Sequence, residues 1–334
     1  MTQTSQTGSN PPILAVIGAG AWGTVLAWLL AQNGCTVKLW ARRKELAHAI
    51  NQQQENPDYV PGLALPENLS ATSHLAEAVA GVSAAVIAVP SKGLRSVLAD
   101  LPNVPALISC SKGLEIGSFK RFSEVLAEYV PEASLAALSG PNLAKEIAAG
   151  LPAAATLASE DKDFAQKAQV WFNSDSFRVY TGDDIVGVEI AGAMKNVIAL
   201  AAGMCDGLEL GDNAKASIIT RGLAEIIRLG THLGGDAKTF YGLAGLGDMV
   251  ATCASAQSRN HTAGELFVGG ATLEDIDAKH LTAEGIPTVK AVHDFALREG
   301  LELPICTEVY RVIYEDKQPH QAISDLMGRE AKAE

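Results

Sequence analysis

Two ionisable residues in this chain stand alone in apolar sequence. Lys195 is the only charged residue between Glu189 and Asp206, inside Ile190-Ala191-Gly192-Ala193-Met194-Lys195-Asn196-Val197-Ile198-Ala199-Leu200. Burying an ammonium is costly unless it is paired, so such a lysine needs a partner or a lowered pKa. Desolvated and poised near neutral pH, it can donate and accept protons. The alternative is a lysine that snorkels out of an apolar helix. Asp248 is the only charged residue between Lys238 and Arg259, within Gly245-Leu246-Gly247-Asp248. It could orient a lysine, or it could cap a helix. Ser258-Arg259-Asn260 gathers three hydrogen-bonding side chains, one of them cationic, which suits a phosphate clamp and also an ordinary surface. Lys112, directly before Gly113, offers a phosphate or carbonyl contact, or is loop charge; no P-loop signature accompanies it.

A cofactor is implied further upstream. Ile13-Leu14-Ala15-Val16-Ile17 is an apolar, strand-prone run that leads into Gly18-Ala19-Gly20-Ala21-Trp22-Gly23. In this pattern Gly18 permits the tight turn, Gly20 lets a pyrophosphate approach the backbone, and Gly23 lets helix and strand pack closely. An apolar helical segment follows from Thr24, Gly34 closes it, and Thr36-Val37-Lys38-Leu39-Trp40 reads as a second strand. The unit is therefore a dinucleotide-binding strand–helix–strand, with the helix N-terminus aimed at the phosphates. An NAD site usually carries an acid beyond the second strand to hold the ribose 2′-OH. Here Ala41-Arg42-Arg43-Lys44 stands instead. Arg42 and Arg43 suit a 2′-phosphate, so NADP(H) is preferred and NAD(H) remains possible.

These groups need a framework. With 334 residues, 48% of them hydrophobic, the chain can bury a large core and divides into two domains. From Ile13 to about Tyr180, strand-like runs (Ala84–Val89, Ala106–Ser109, Leu135–Leu138, Ala154–Ala158, Phe177–Tyr180) alternate with helical ones (Lys92–Leu101, Phe119–Val130, Asn142–Ala149, Asp161–Phe172). That alternation implies a mainly parallel, doubly wound α/β sheet. Ligands bind past the C-terminal ends of such strands, which makes Val89-Pro90-Ser91, Ser109 to Gly113 and Ser139-Gly140-Pro141-Asn142 site loops. After Gly182 the pattern turns helical, over Asp183–Cys205, Asn213–Leu229, Leu273–Asp277, Val289–Glu299 and Glu308–Tyr314. The expected division is a disordered tail over 1–10, a nucleotide-binding domain over 11–182 and a helical substrate-binding domain over 183–330.

Composition narrows the classes further. A net charge of −12 argues against nucleic-acid binding. Residues 1–10 lack the features of a secretory or transit signal, and no run reads as a membrane span. Five cysteines (Cys35, Cys110, Cys205, Cys253, Cys306), odd in number and set in apolar sequence, read as reduced thiols of a cytoplasmic protein. The seven histidines show no metal-binding spacing.

Six segments in order resemble one family. Gly18-Ala19-Gly20-Ala21-Trp22-Gly23, Lys112-Gly113-Leu114-Glu115, Ser139-Gly140-Pro141-Asn142-Leu143-Ala144-Lys145-Glu146, Lys195-Asn196, Gly245-Leu246-Gly247-Asp248 and Ser258-Arg259-Asn260 are similar to the NAD(P)-dependent glycerol-3-phosphate dehydrogenases of bacterial type. The likeness runs from about Ile13 to Gly328. It implies an N-terminal Rossmann sheet, an all-helical C-terminal domain, a homodimer, and reversible reduction of dihydroxyacetone phosphate to sn-glycerol 3-phosphate for phospholipid synthesis. By the same resemblance Lys195 is the proton donor and acceptor, with Asp248 and Lys112 supporting it. Lys112, Gly140, Asn142, Lys195, Asn196, Asp248, Ser258, Arg259 and Asn260 would surround the substrate. Gly18, Gly20, Ala21, Trp22, Gly23, Arg42, Arg43, Lys112, Ala144, Arg259 and Glu284 would lie against the cofactor. Asn142 stands where bacterial-type members often carry Ser or Thr. A β-hydroxyacid or 6-phosphogluconate-type dehydrogenase would not be expected to combine the Asp248 and Arg259 segments. A non-catalytic NADP(H) sensor would not need Lys195.

Overall fold

A computed structural model describes residues 11–279 and 281–330. The tail expected over 1–10 lies outside the described residues. The strands β1 (Ile13–Ile17), β2 (Thr36–Trp40), β3 (Leu69–Thr72), β4 (Ala84–Ile87), β5 (Ala106–Ser109), β6 (Ser134–Ser139), β7 (Ala153–Ala158) and β8 (Phe177–Gly182) form one eight-stranded sheet. Its order is 3-2-1-4-5-6-7-8, and β6–β7 is the single antiparallel pairing among these strands. Helices α1 (Ala21–Gln32), α2 (Lys44–Gln53), α3 (Leu75–Val79), α4 (Leu94–Leu98), α5 (Phe122–Tyr129), α6 (Ala144–Ala148) and α7 (Lys162–Phe172) connect the strands.

Both faces of the sheet are covered, so β1 is apolar at every position. Leu14 and Val16 pack on one face with Leu26, Leu30 and Phe172, while Ala15 and Ile17 pack on the other with Leu98, Val125 and Leu126. The chain runs outward from β1 in both directions, to β2–β3 and to β4–β5. That reversal opens a crevice at the C-terminal ends of β1 and β4.

Beyond Gly182 the described secondary structure is helical: α8 (Ile185–Gly207), α9 (Gly211–His232), α10 (Asp248–Ala254), α11 (Arg259–Val268), α12 (Leu273–Ala278), α13 (Gly285–Glu299), α14 (Pro304–Tyr314) and α15 (Pro319–Met327). Helix α8 is the axis of this half and packs against α9, α10, α11 and α13. Its 23 residues, with mean hydropathy 1.6, are long and apolar enough to cross a membrane by composition alone, yet 94% of its most apolar stretch is buried inside the molecule.

Other boundaries also shift. The helix expected over 119–130 begins at Phe122, because Leu114 and Arg121 form a bridge and Phe119 adopts a φ of 61°. The helix expected over 92–101 is a 3-10 turn, Ser91–Gly93, followed by α4. Strand β3 and helices α2, α3, α10, α11 and α15 went unread in the sequence.

Candidate active site

The glycine run behaves as its spacing predicts. Gly18 has a φ of 118°, and a Cβ there would lie 2.5 Å from the Ala88 carbonyl oxygen. A Cβ on Gly23 would lie 1.8 Å from the Gly18 carbonyl oxygen, so only glycine lets α1 sit this close to β1. Gly20 is the opposite case: nothing lies within 4 Å of its would-be Cβ. That bare face, at an α1 N-terminus with no side-chain cap, fits a pyrophosphate held by backbone N–H groups. The chain thus presents what a dinucleotide needs. Trp22 fixes the neighbouring edge by donating Nε1–H to the Cys110 carbonyl (3.2 Å). Ala21, Trp22 and Ala144 are partly buried against the same core. Arg42 and Arg43 are exposed before α2, and Arg43 donates to Asp58.

The isolated charges converge at the seam between sheet and helices. Lys195 is 7% exposed and Asp248 2%, which removes the snorkelling reading. Lys195 Nζ donates to Asp248 Oδ1 (2.9 Å) and to Thr252 Oγ1 (2.7 Å). Lys112, in the loop after β5, donates from Nζ to Asp248 Oδ2 (2.5 Å) and to the Gly140 carbonyl at the end of β6 (3.1 Å). Asp248 lies in the first turn of α10, and its carboxylate serves two lysines rather than capping that helix.

Three packing devices hold this centre. A Cβ on Gly192 would lie 2.9 Å from Ser139 Oγ, so α8 rests closely on the end of β6. Glu189 pins α8 to the sheet half by accepting from Ser123 N (2.8 Å), Ser123 Oγ (2.5 Å) and Arg121 Nη1 (3.0 Å). A π-helical turn over Leu243–Gly247 delivers Asp248, and a Cβ on Gly247 would lie 3.8 Å from Pro141.

Charge counting explains the pKa directions. Ions this close attract by several kcal/mol at an effective dielectric near 20, about what desolvation costs each ion. The balance therefore depends on how many partners each group has. Burial would raise the Asp248 carboxyl, but two ammonium groups outweigh it and hold it below the usual carboxylate range. Lys195 shares one carboxylate with a second cation. Burial pushes it down, Asp248 resists, Lys112 adds to the fall, and the result is about 8. This is a lysine able to give up a proton near physiological pH. Burial pushes the adjacent Cys253 thiol up to about 12, so it is no nucleophile. All five cysteines are free and buried.

The remaining candidates divide. Asn196 and Asn260 are joined (Nδ2 of Asn260 to Oδ1 of Asn196, 2.9 Å), and Asn260 Oδ1 accepts from Gly285 N (2.8 Å). Ser258 caps α11 by accepting from His261 N, which leaves its own O–H available. Arg259, the first residue of α11, is exposed. Turning the Asn142 amide over satisfies it, since Nδ2 then donates to Ala154 O (3.1 Å) and Pro141 O (3.2 Å) and ties it to β7. Glu284 bridges from the start of α13 to Ser91 after β4, accepting from its N (3.2 Å) and Oγ (2.6 Å). Ser91 lies in a loop the sequence marked as a site loop, whereas Thr252 and Glu189 escaped sequence reasoning. Thr252 lies four residues after Asp248 on α10, a spacing that would have pointed to it only had that helix been read. A cavity of about 470 Å³ lies elsewhere, among Met204, Ile218, Pro304, Val309 and Ile323, and none of the candidate residues lines it.

A doubly wound sheet with this glycine loop, joined to helices through a buried Lys–Asp–Lys centre, defines a Rossmann-type oxidoreductase. The sequence model of the N-terminus of NAD-dependent glycerol-3-phosphate dehydrogenase matches residues 13–165, and that of its C-terminus matches residues 184–324. The chain belongs to the NAD-dependent glycerol-3-phosphate dehydrogenase family. It is 50% identical to the glycerol-3-phosphate dehydrogenase (NAD(P)+) of Streptomyces coelicolor, over 98% of this chain and 99% of that one. It is 49% identical to the Thermus thermophilus protein of the same name, over 96% and 99%. The crystal structure of the Coxiella burnetii glycerol-3-phosphate dehydrogenase superposes with a TM-score of 0.91 at 37% identity, covering 96% of this chain and 100% of that one.

Proposed function

We propose that this chain catalyses the reversible reduction of dihydroxyacetone phosphate to sn-glycerol 3-phosphate with NAD(P)H, providing a phospholipid precursor. The observation that carries the reading is Lys195, buried, paired to Asp248 and lowered to about 8, in a member of this family. When bound, the nicotinamide supplies the hydride to C2 of the ketone and takes it back in the reverse direction.

The protein's own residues manage charge and position. As negative charge develops on the C2 oxygen, Lys195 stabilises it and transfers one proton. The N–H bond breaks, an O–H bond forms, and a neutral amine remains that solvent reprotonates. Two of the three ammonium N–H groups are engaged by Asp248 and Thr252, which leaves one for the substrate oxygen. Asp248 stabilises the charged lysine before transfer, and Lys112 adds positive potential beside it. Arg259, with the free Ser258 hydroxyl and Asn260, grips the substrate phosphate. That remote grip fixes C2 within hydride range. Gly140, Asn142 and Asn196 shape the surrounding wall. Gly18, Gly20 and Gly23 form the pyrophosphate turn, with Ala21, Trp22, Ala144 and Glu284 alongside it, and Arg42 and Arg43 meet the ribose end. The reading includes a division into units 11–182 and 183–330, a homodimer, a cytoplasmic location, and neither nucleic acid nor membrane as partner.

Oxidation of NADPH followed at 340 nm tests it. Dihydroxyacetone phosphate should be turned over and unphosphorylated dihydroxyacetone should be at least about tenfold poorer, as expected when charge-assisted phosphate contacts are lost. No turnover of the phosphate ester, or equal use of both ketones, would overturn the reading.

A further inference from the structure

The sequence places arginines where an NAD enzyme usually has an acid, but the fold returns an acid to that place from elsewhere. The loop between α2 and β3 is held against the glycine turn by Asn56, which is fully buried. Asn56 donates from Nδ2 to the Ala19 carbonyl (3.0 Å) and to Thr24 Oγ1 (2.7 Å), and its Oδ1 accepts from Tyr59 N (3.3 Å). The loop closes on itself through Val60 N to Asn56 O (3.0 Å) and Leu65 N to Gln54 O (2.7 Å), with Val60 and Leu65 in the core. This frame carries Asp58 to the Arg43 guanidinium, where the two form an ion pair with both side chains about half exposed. The dinucleotide turn and the Asp58 loop are thus one mechanical unit. Asp58 is preplaced rather than captured from solvent.

We propose that Asp58 is a specificity-determining residue that competes with the 2′-phosphate of NADP(H) for Arg43, and so keeps NAD(H) usable. This rests on the cofactor reading above. A neutral ribose leaves the Arg43–Asp58 pair intact. A 2′-phosphate, carrying close to two negative charges, must take Arg43 from its carboxylate and then sit beside that carboxylate. Among the described residues no carboxylate pairs with Arg42, which is exposed and serves the phosphate directly. The site is therefore tempered: Arg42 and Arg43 attract the phosphate, and Asp58 narrows the resulting preference.

Binding of 2′,5′-ADP and 5′-ADP by titration calorimetry isolates this from turnover. Asp58→Asn keeps the shape of the exposed side chain and should tighten 2′,5′-ADP about three- to tenfold, in the range expected when an exposed ion pair and a like-charge neighbour are removed. Binding of 5′-ADP should stay within about a factor of two. In an Arg43→Ala background the gain from Asp58→Asn should vanish, because the competition acts through that arginine. Equal changes for both nucleotides, no change in either, or an undiminished gain without Arg43 would overturn the role of Asp58. Failure of the wild type to bind either nucleotide would overturn the cofactor reading, and this proposal with it.

Discussion

The glycine turn and the lysine–aspartate centre lie at two parts of the same crevice, and they are built by opposite means. The turn is made of backbone from one short segment, Gly18 to Gly23, and its working surface is bare, with nothing near the face of Gly20. The centre is made of side chains from the loop after β5, the middle of α8 and the first turn of α10, with Lys195 and Asp248 buried and Lys112 partly so. Binding a pyrophosphate asks for N–H groups and space, which glycine supplies locally. Moving a proton asks for a tuned pKa, which needs burial and countercharge that no single segment can provide. The fold's task is to bring three distant segments within hydrogen-bond distance beside a turn whose backbone comes from one segment.

That contrast can be broken at either end. The largest effect is expected at the centre. Lys195→Met should lower kcat for dihydroxyacetone phosphate reduction about 10²- to 10⁴-fold, the usual span for a general acid. NADPH binding, read by fluorescence titration, should change little, since Asp248 keeps Lys112 as partner. Near-normal turnover would remove the lysine from the chemistry.

Asp248→Asn attacks the same centre through its countercharge. It leaves two ammonium groups without a carboxylate, and unpairing a buried ion costs about 3–5 kcal/mol. Urea unfolding should show that loss, and turnover should fall with it. Unchanged stability would mean that solvent reaches the centre and that charge counting does not govern it.

A smaller effect is expected at the turn. Gly20 has an ordinary φ of −73° and open space around it, so Gly20→Ala should fold with wild-type stability. The new methyl should intrude on the pyrophosphate and weaken NADPH about ten- to a hundredfold, corresponding to an overpacking penalty of about 1–3 kcal/mol. Loss of stability instead would show that this face is packed against protein.

The same contrast decides how far the sequence could be read. Strands β1 and β2, the helix between them and the turn were all legible, since strand, glycines and Gly34 lie in one continuous stretch and each obeys a local rule. Lys195 and Asp248 were legible as individuals, because a lone charge in apolar sequence is conspicuous, but their union with Lys112 came only from the family resemblance. No spacing rule connects residues 112, 195 and 248; only the packing of α8 on β6 does. Strand β3, Leu-Ser-Ala-Thr, is short and half polar, so it carried no strand signal. Helices α10 and α11 begin in glycine- and serine-rich sequence that reads as loop, which hid Thr252. Asp58 was invisible for a further reason: its partner is set by where a loop is anchored, through Asn56, and not by its own neighbours.

The most direct test of the buried centre is the pH dependence of kcat/KM for dihydroxyacetone phosphate reduction, which reports groups of the free enzyme. Burial and Lys112 place Lys195 at about 8, so the donor is charged below that value and lost above it. Between about pH 7 and 8 the substrate phosphate is already dianionic and should not intervene, since such groups titrate near pH ~6. The expected profile is level near neutrality and falls about tenfold per pH unit above about pH 8, with the reverse oxidation rising over the same interval. A reduction rate that stays level to pH ~10, near the ordinary lysine value, would contradict a desolvated Lys195 as the proton donor.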